Sequence, residues 1–302
     1  MKKLLAITHS GPDIGMGHLV RTAQLISSLD KNEFDVQLVG SFESKPSWLE
    51  SFRYEEMEFP EILNIKYSEY DYLFFDSYID RDMLSKVDIP KILMDDFAFM
   101  GKFNVDLVID YNVGSTSRLY GSIKSLCGPG YFPIGLDSIP EKYSFQSSYS
   151  ENGKILLSFG GVSDEKLIDI PKAIDLSKNF GNIILMDPAN KLKKYSSTRV
   201  KVIPESTLSD ILLTEKFKFG VLGGGTTKYV SMSYGLPSIF LPRNDLDKKL
   251  IDKFLEESLS FSISDLDNHK SLNEELQNIS IKTKNTIDGE AGKRISQEIL
   301  KL

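Results

Sequence analysis

Short apolar runs recur along the chain, and in its first half three of them end in aspartate. Leu4 to Ile7 is such a run, and Phe34 to Val39 reads as a second strand. Tyr72 to Phe75 ends in Asp76, Lys91 to Met94 in Asp95 and Asp96, and Leu107 to Ile109 in Asp110. Runs of this length, apolar without alternation, predict strands of a parallel sheet covered on both faces. From Leu19 to Leu29 the apolar positions fall at helical spacing, which predicts an amphipathic helix. Ser47 to Phe52 is a shorter amphipathic piece, in which Trp48 is a packing residue.

The pattern then lapses. LDSIPEKYSFQSSYSENG, residues 136–153, is polar, rich in serine and without period, which predicts a linker. Alternation of strand and helix resumes at Lys154 to Phe159 and continues through Asn182 to Met186, Arg199 to Val202, Phe219 to Leu222 and Ser238 to Leu241. Helices are predicted up to Ser177, from Ser206, from Thr227 to Tyr234 (stopped by Gly235-Leu236-Pro237), and near 246–257, 269–285 and 290–301. The expected fold class is α/β, with two doubly wound parallel-sheet domains facing a cleft. The expected division is 1–140, a linker at 141–153, a nucleotide-binding domain at 154–288, and a terminal helix at 289–302 that packs back on the first domain.

Composition narrows the function classes. The chain has 302 residues, enough for two ordinary domains. Its net charge of −7 argues against a nucleic-acid partner. One cysteine, Cys127, leaves no internal disulfide and no multi-cysteine metal site. The first residues lead straight into a glycine turn, too soon for a signal peptide, and no run reaches the length of a membrane span. A cytoplasmic protein without membrane insertion is the expectation.

Two strand-to-helix turns carry candidate chemistry. In the first, Gly15 and Gly17 precede His18 and Arg21 at the start of a helix. Backbone N–H groups there suit an anion, and a histidine does proton chemistry near neutral pH. Arg21 lies three residues on, so it shares a helix face with His18 and is expected to reach the same anion. The second turn is Gly223-Gly224-Gly225-Thr226-Thr227, whose glycines and hydroxyls suit a diphosphate. It matches neither a Walker A loop nor the dinucleotide fingerprint. Gly160-Gly161 is a weaker version of the same signal. Each terminal aspartate is explained singly as a turn or helix cap, whereas the set predicts that at least one faces the ligand. His9 and His269 are left unassigned: His9 ends the first strand, where a packing or capping role and a place lining the cleft are both open, and His269 reads as a surface residue at a helix start.

Together these residues resemble the nucleotide-sugar hydrolases of pseudaminic acid biosynthesis, which cleave UDP-2,4-diacetamido-2,4,6-trideoxy-β-L-altropyranose. The family's G-x-G-H-x-x-R is Gly15, Gly17, His18 and Arg21 here, and its Asp-His-Tyr is Asp76-Ser77-Tyr78. Its Asp-Asp pair is Asp95-Asp96, followed by the strand ending in Asp110, and its Gly-Pro-x-Tyr is Gly128 to Tyr131. Its Gly-Gly-Ser-Asp runs, one residue longer, from Gly160 to Asp164. Gly235-Leu236-Pro237 and the terminal Asp288, Gly289 and Arg294 complete the match.

The resemblance implies a GT-B fold and hydrolysis of a UDP-linked amino sugar, with inversion at the anomeric carbon and no metal or cofactor. It implies His18 as the base that activates water, with Asp76 and Tyr78 beside it as catalytic residues. Gly15, Gly17, Arg21, Asp95 and Asp96 are implied to bind substrate. Gly160, Gly161, Gly224, Gly225, Thr226, Thr227 and Asn244 are implied to bind the nucleotide. The sequence departs from the family at Ser77, which replaces a histidine, and at Val230, where a glutamate holds the ribose. It departs also at Asn244-Asp245, where the family has Asn-Gln. A glycosyltransferase of the same fold and a non-catalytic sugar-nucleotide binder are the alternatives.

Overall fold

The structure is a computed structural model that describes residues 1–11, 16–43, 45–79, 81–101, 103–134, 147–159, 169–187, 190–204, 208–267 and 271–302. The chain divides into two compact units, Met1–Ile139 with Gly289–Leu302, and Pro140–Asp288.

Unit 1 is built on seven strands: β1 (Lys2–Thr8), β2 (Phe34–Gly40), β3 (Tyr54–Glu56), β4 (Tyr72–Asp76), β5 (Lys91–Met94), β6 (Leu107–Asp110) and β7 (Lys124–Cys127). All pair in parallel, in the order β3-β2-β1-β4-β5-β6-β7. The apolar runs are the central strands, and Leu5, Ile7, Leu73, Phe75, Leu93 and Val108 share one buried core. Helix α1 (Gly17–Ser28) follows β1, and the short α2 (Phe59–Ile62) follows β3. Ser47–Ser51 is a 3-10 helix in which Trp48 packs edge-on against Phe52. Most later crossovers of this unit are also 3-10 turns, as at Arg81–Lys86 and Ser117–Leu119.

Unit 2 holds β8 (Tyr149–Ser158), β9 (Ile183–Asp187), β10 (Val200–Pro204), β11 (Phe217–Gly223) and β12 (Ser238–Leu241), parallel in the order β10-β9-β8-β11-β12. Its helices include α3 (Ile170–Ser177), α4 (Leu208–Thr214), α5 (Thr227–Ser233), α6 (Asp245–Glu256) and α7 (Leu272–Thr286). Among the described residues no helix is long and apolar enough to cross a membrane.

The strand orders locate the sites. In unit 1 the chain winds outward from β1 to β3, then returns and winds the other way from β4, so the order reverses between β1 and β4. In unit 2 it reverses between β8 and β11. Open parallel sheets bind ligands beyond the carboxyl ends of their strands at such reversals. Both glycine turns singled out from the sequence, after β1 and after β11, follow strands at these points.

Three features depart from the sequence reading. The edge strands β3 and β7 carry polar residues and were not predicted, because edge strands are short and half exposed. Strand β8 starts at Tyr149, so residues 149–153 are strand where linker was expected; the rest of that linker lies mostly outside the described residues. Gly153 belongs there because the ladder with β11 shifts register between Phe217 and Phe219, and an added Cβ would lie 2.3 Å from the Phe217 carbonyl carbon.

The last helix, α8 (Ala291–Ile299), belongs to unit 1. Arg294 donates to the Gly130 carbonyl and lies over the Tyr131 ring, and Glu298 pairs with Lys124 at 2.6 Å. Gly292 sits on the end of α1, where an added Cβ would stand 2.3 Å from the Ser28 carbonyl oxygen. Gly292→Ala is therefore expected to destabilise unit 1 by about 1–3 kcal/mol, as measured by urea unfolding.

Candidate functional site

The reversal in unit 1 brings the start of α1 against the ends of β4 and β5. Thr8, which pairs with Asp76 in the sheet, also donates from Oγ1 to the Asp76 carbonyl at 3.0 Å. His18, Arg21 and Thr22 stand at i, i+3 and i+4, on one face of α1, and all three reach the Asp76 carboxylate. His18 Nδ1 lies 2.7 Å from Oδ1, and Thr22 Oγ1 donates to Oδ2 at 3.1 Å. Arg21 grips both oxygens, Nε on Oδ2 at 2.7 Å and Nη2 on Oδ1 at 2.6 Å. The other edge of the same guanidinium, Nη1, donates to Asp96 at 2.9 and 3.2 Å. Asp96 also accepts from the Tyr78 hydroxyl and, at 2.7 Å, from Asn112 Nδ2. The Tyr78 ring stands perpendicular to the His18 ring, with centroids 4.6 Å apart.

This cluster is out of water: Asp76 is 0 % exposed and Arg21 and Asp96 are 5 % exposed. Burial by itself would push the Asp76 carboxyl up, but the Arg21 charge, His18 and their hydrogen bonds together hold it below the ordinary carboxylate value. Asp96 feels the same burial and is held well down by Arg21, Tyr78 and Asn112. Burial and then the Asp96 charge push the Tyr78 hydroxyl well above the usual phenol value, so it keeps its proton. An ionised carboxylate only accepts, so at 2.7 Å Nδ1 of His18 carries the hydrogen toward Asp76, and Arg21 Nη2, 3.1 Å from Nδ1 and a donor only, directs its hydrogens to Asp76 instead. In the neutral ring Nε2 is then the acceptor, and among the described residues nothing bonds to it. The geometry fixes the orientation of the ring through Nδ1.

The sequence reading gives Arg21, Asp95 and Asp96 to substrate, and in the structure each of the three has protein partners. Arg21 lies between two carboxylates of its own unit, Asp76 and Asp96. Asp95 does not reach His18; it pairs with Arg81 at 2.6 Å. Arg81, Asn112 and Tyr120 have no signal in the sequence, since each lies outside the motifs and is recruited only by tertiary contact. The Arg81 guanidinium lies 5.3 Å from the centroids of both the Tyr78 and the Phe103 rings. Gly17 opens α1, and an added Cβ there would meet nothing within 4 Å among the described residues. Gly15, Gly160, Gly161 and His269 lie outside the described residues. His9 is buried and its Nδ1 accepts from the Ser41 N–H at 3.2 Å.

In unit 2 the turn from Gly223 to Thr227 is set about with charge. An added Cβ at Gly224 would stand 2.8 Å from Asp247 Cγ, so a larger residue there would displace the Asp247 side chain. Lys228, 2 % exposed, donates to the Gly224 carbonyl and lies 5.5 Å from the Tyr229 ring centroid. Arg243, which the sequence reading missed, donates from Nε to Asp247 at 2.7 Å and keeps 30 % of its side chain exposed. An added Cβ on Gly225 would come within 3.7 Å of Arg243 Nη2. Thr226 and Thr227 are half-buried. Asn244, expected at the nucleotide, caps α6 by accepting from the Asp247 N–H at 2.8 Å.

The sequence matches no family model and no curated protein. Solved structures do resemble it. Staphylococcus aureus MnaA, solved with UDP, superposes with a TM-score of 0.62 at 14% identity, over 99% of this chain and 96% of that one. The glycosyltransferase SnogD from Streptomyces nogalater gives 0.60 at 11% identity, over 98% and 99%. A putative UDP-N-acetylglucosamine 2-epimerase from Listeria monocytogenes gives 0.60 at 12% identity, over 97% and 94%. The fold is GT-B-like. At these identities the likeness establishes the architecture, and the chemistry has to be argued from the site.

Replacing Arg21 would leave two buried carboxylates without their cation. Arg21→Ala is expected to cost about 3–5 kcal/mol in urea unfolding. The wild-type pH dependence has a definite sign. Asp76 and Asp96 have folded-state values below the unfolded value of about 4, so their contribution is complete above that pH and is lost as pH falls through the folded values. Stability should hold from neutrality to about pH 4 and decline below it.

Proposed function

We propose that the chain is a nucleotide-sugar hydrolase in which His18 activates water. The observation that carries this reading is the His18–Asp76 pair: Nδ1 is fixed by a buried carboxylate at 2.7 Å, and Nε2 is left to accept a proton. In the proposed step Nε2 removes a proton from water as its oxygen attacks the anomeric carbon. The bond from that carbon to the diphosphate oxygen breaks, and the nucleoside diphosphate leaves with the electron pair, inverting the centre. Asp76, beyond substrate's reach, steadies the imidazolium that forms, and Tyr78 walls the ring. A positioned base of this kind contributes about 10²–10⁴-fold.

The nucleotide is assigned to unit 2, to Gly160 and Gly161 and to the turn of Gly224, Gly225, Thr226 and Thr227, with Arg243 as the cation for the diphosphate. Gly15 and Gly17 are assigned to the approach of the sugar beside His18. The open space at Gly17 supports this, because the fold itself does not demand glycine there. The UDP and UDP-sugar names among the structural neighbours support a UDP-linked substrate. A 2,4-diacetamido-2,4,6-trideoxy sugar, as in pseudaminic acid biosynthesis, is the first to test. The glycosyltransferase among those neighbours supports a second reading, in which a hydroxyl acceptor replaces water.

Release of nucleoside diphosphate from a panel of activated sugars, without acceptor, tests the proposal. Wild type is expected to release it from the UDP-diacetamido-trideoxy-altrose donor, and His18→Ala to lose at least about 10²-fold with its circular dichroism unchanged. Release that persists in the variant would overturn the role of His18, and release only with an added hydroxyl acceptor would favour the transferase. For the nucleotide, Arg243→Met is expected to weaken UDP binding about 10-fold or more by calorimetry, the value of a charge-assisted hydrogen bond.

A further inference from the structure

The loop after β5 holds a backbone conformation that side chains disfavour. Phe97 and Ala98 are both left-handed, with φ of 56° and 53°, and neither is glycine. Two such residues in succession are strained, and strain of this kind persists only where the surroundings over-determine it. Here the restraint is visible. The Phe97 N–H donates to Asp110 Oδ2 at 3.0 Å. The Ala98 N–H is shared between Asp95 Oδ2 at 2.9 Å and the Tyr120 hydroxyl at 3.2 Å. That hydroxyl lies 2.7 Å from Asp110 Oδ2 and 3.0 Å from Asp95 Oδ2, so one phenol joins both carboxylates that hold the turn. Ser115 adds a donor to Asp110 at 2.5 Å.

The residue just before the left-handed pair is Asp96. It faces away from this clamp, toward Arg21 and Tyr78, the two groups that frame His18. Asn112 Nδ2 ties the two sides together, at 2.7 Å from Asp96 Oδ1 and 2.8 Å from Asp110 Oδ1. We infer that Tyr120 and Asp110 are positioning residues: they hold the left-handed turn at Phe97–Ala98, and that turn aims Asp96 at Arg21 and Tyr78 and so fixes the His18 ring. The inference rests on the proposed role of His18 as the reacting base. Tyr120 lies outside every motif, Asp110 is marked only as the end of its strand, and neither touches His18.

Glycine provides the test, since it adopts the left-handed conformation without strain. Tyr120→Phe removes the hydroxyl and keeps the ring. It is expected to lower kcat for nucleotide release about tenfold with KM changed less than about twofold, as misplacement of a reacting group does. The ¹⁵N signals of His18, followed through a pH titration, are expected to shift with it. Adding Ala98→Gly to Tyr120→Phe should restore both readouts to within about threefold of wild type for kcat and to the wild-type titration for the ring. A wild-type kcat and wild-type His18 titration in Tyr120→Phe would overturn the inference. So would a loss that Ala98→Gly does not restore, because the hydroxyl would then not act through the turn. Should Tyr120→Phe not fold, Ser115→Ala, which removes one donor from Asp110, is compared with Ser115→Ala/Ala98→Gly under the same criteria. If wild type releases no nucleotide, the hydrolase reading fails on its own, and the His18 titration still decides for or against the clamp.

Discussion

A single guanidinium makes the end of the first sheet possible. Asp76 closes β4 and Asp96 follows β5, on neighbouring strands of one parallel sheet, and both are buried. Two carboxylates enclosed side by side repel each other and lose their hydration, at a cost of several kcal/mol per ion. Arg21 lies between them and satisfies both, with its flat fork matched to the two carboxylates. Because Arg21 is carried by α1, the pair also fixes where that helix begins. His18, one helical turn earlier on the same face, is thereby brought to Asp76. The orientation of the histidine is a by-product of burying charge in a particular way.

Unit 2 solves a similar problem with a different outcome. At its own reversal of strand order the glycine turn is enclosed by Lys228 and Asp247, both buried, while Arg243 stays partly in solvent. Charge there is gathered around a backbone turn, with Arg243 paired to Asp247 and partly in solvent. In unit 1 the charge is enclosed, and Nε2 of His18 is left without a hydrogen bond among the described residues. The two arrangements share one fold rule, that loops at a topological reversal lie beyond the carboxyl edge, and differ in the side chains that the loops carry.

The structural neighbours are about as similar to this chain as sequences of unrelated function can be while keeping one architecture. What they share with it is the overall fold, over nearly the whole length of each chain. The bonds among Asp76, Arg21, Asp96 and Tyr78 are what hold the histidine in one orientation.

The sequence by itself determined the central strands, because a strand buried on both faces must be apolar throughout, and Leu4–Ile7, Tyr72–Phe75 and Leu107–Ile109 are. It determined the glycine turns and the shared face of His18 and Arg21, because helical spacing is local. The aspartates at the strand ends were legible as a set, yet their division of labour was not. Asp76 orients His18, Asp95 binds Arg81 and the turn, and Asp110 collects five donors, from Asn112 twice, Phe97, Ser115 and Tyr120. Only the tertiary structure decided which charges meet. It turned Arg21 inward, drew in Arg81, Asn112, Tyr120 and Arg243 from outside every motif, and extended β8 back to Tyr149. The reason is physical: the partner of a buried charge is chosen by the packing of strands distant in sequence, and no local pattern encodes it.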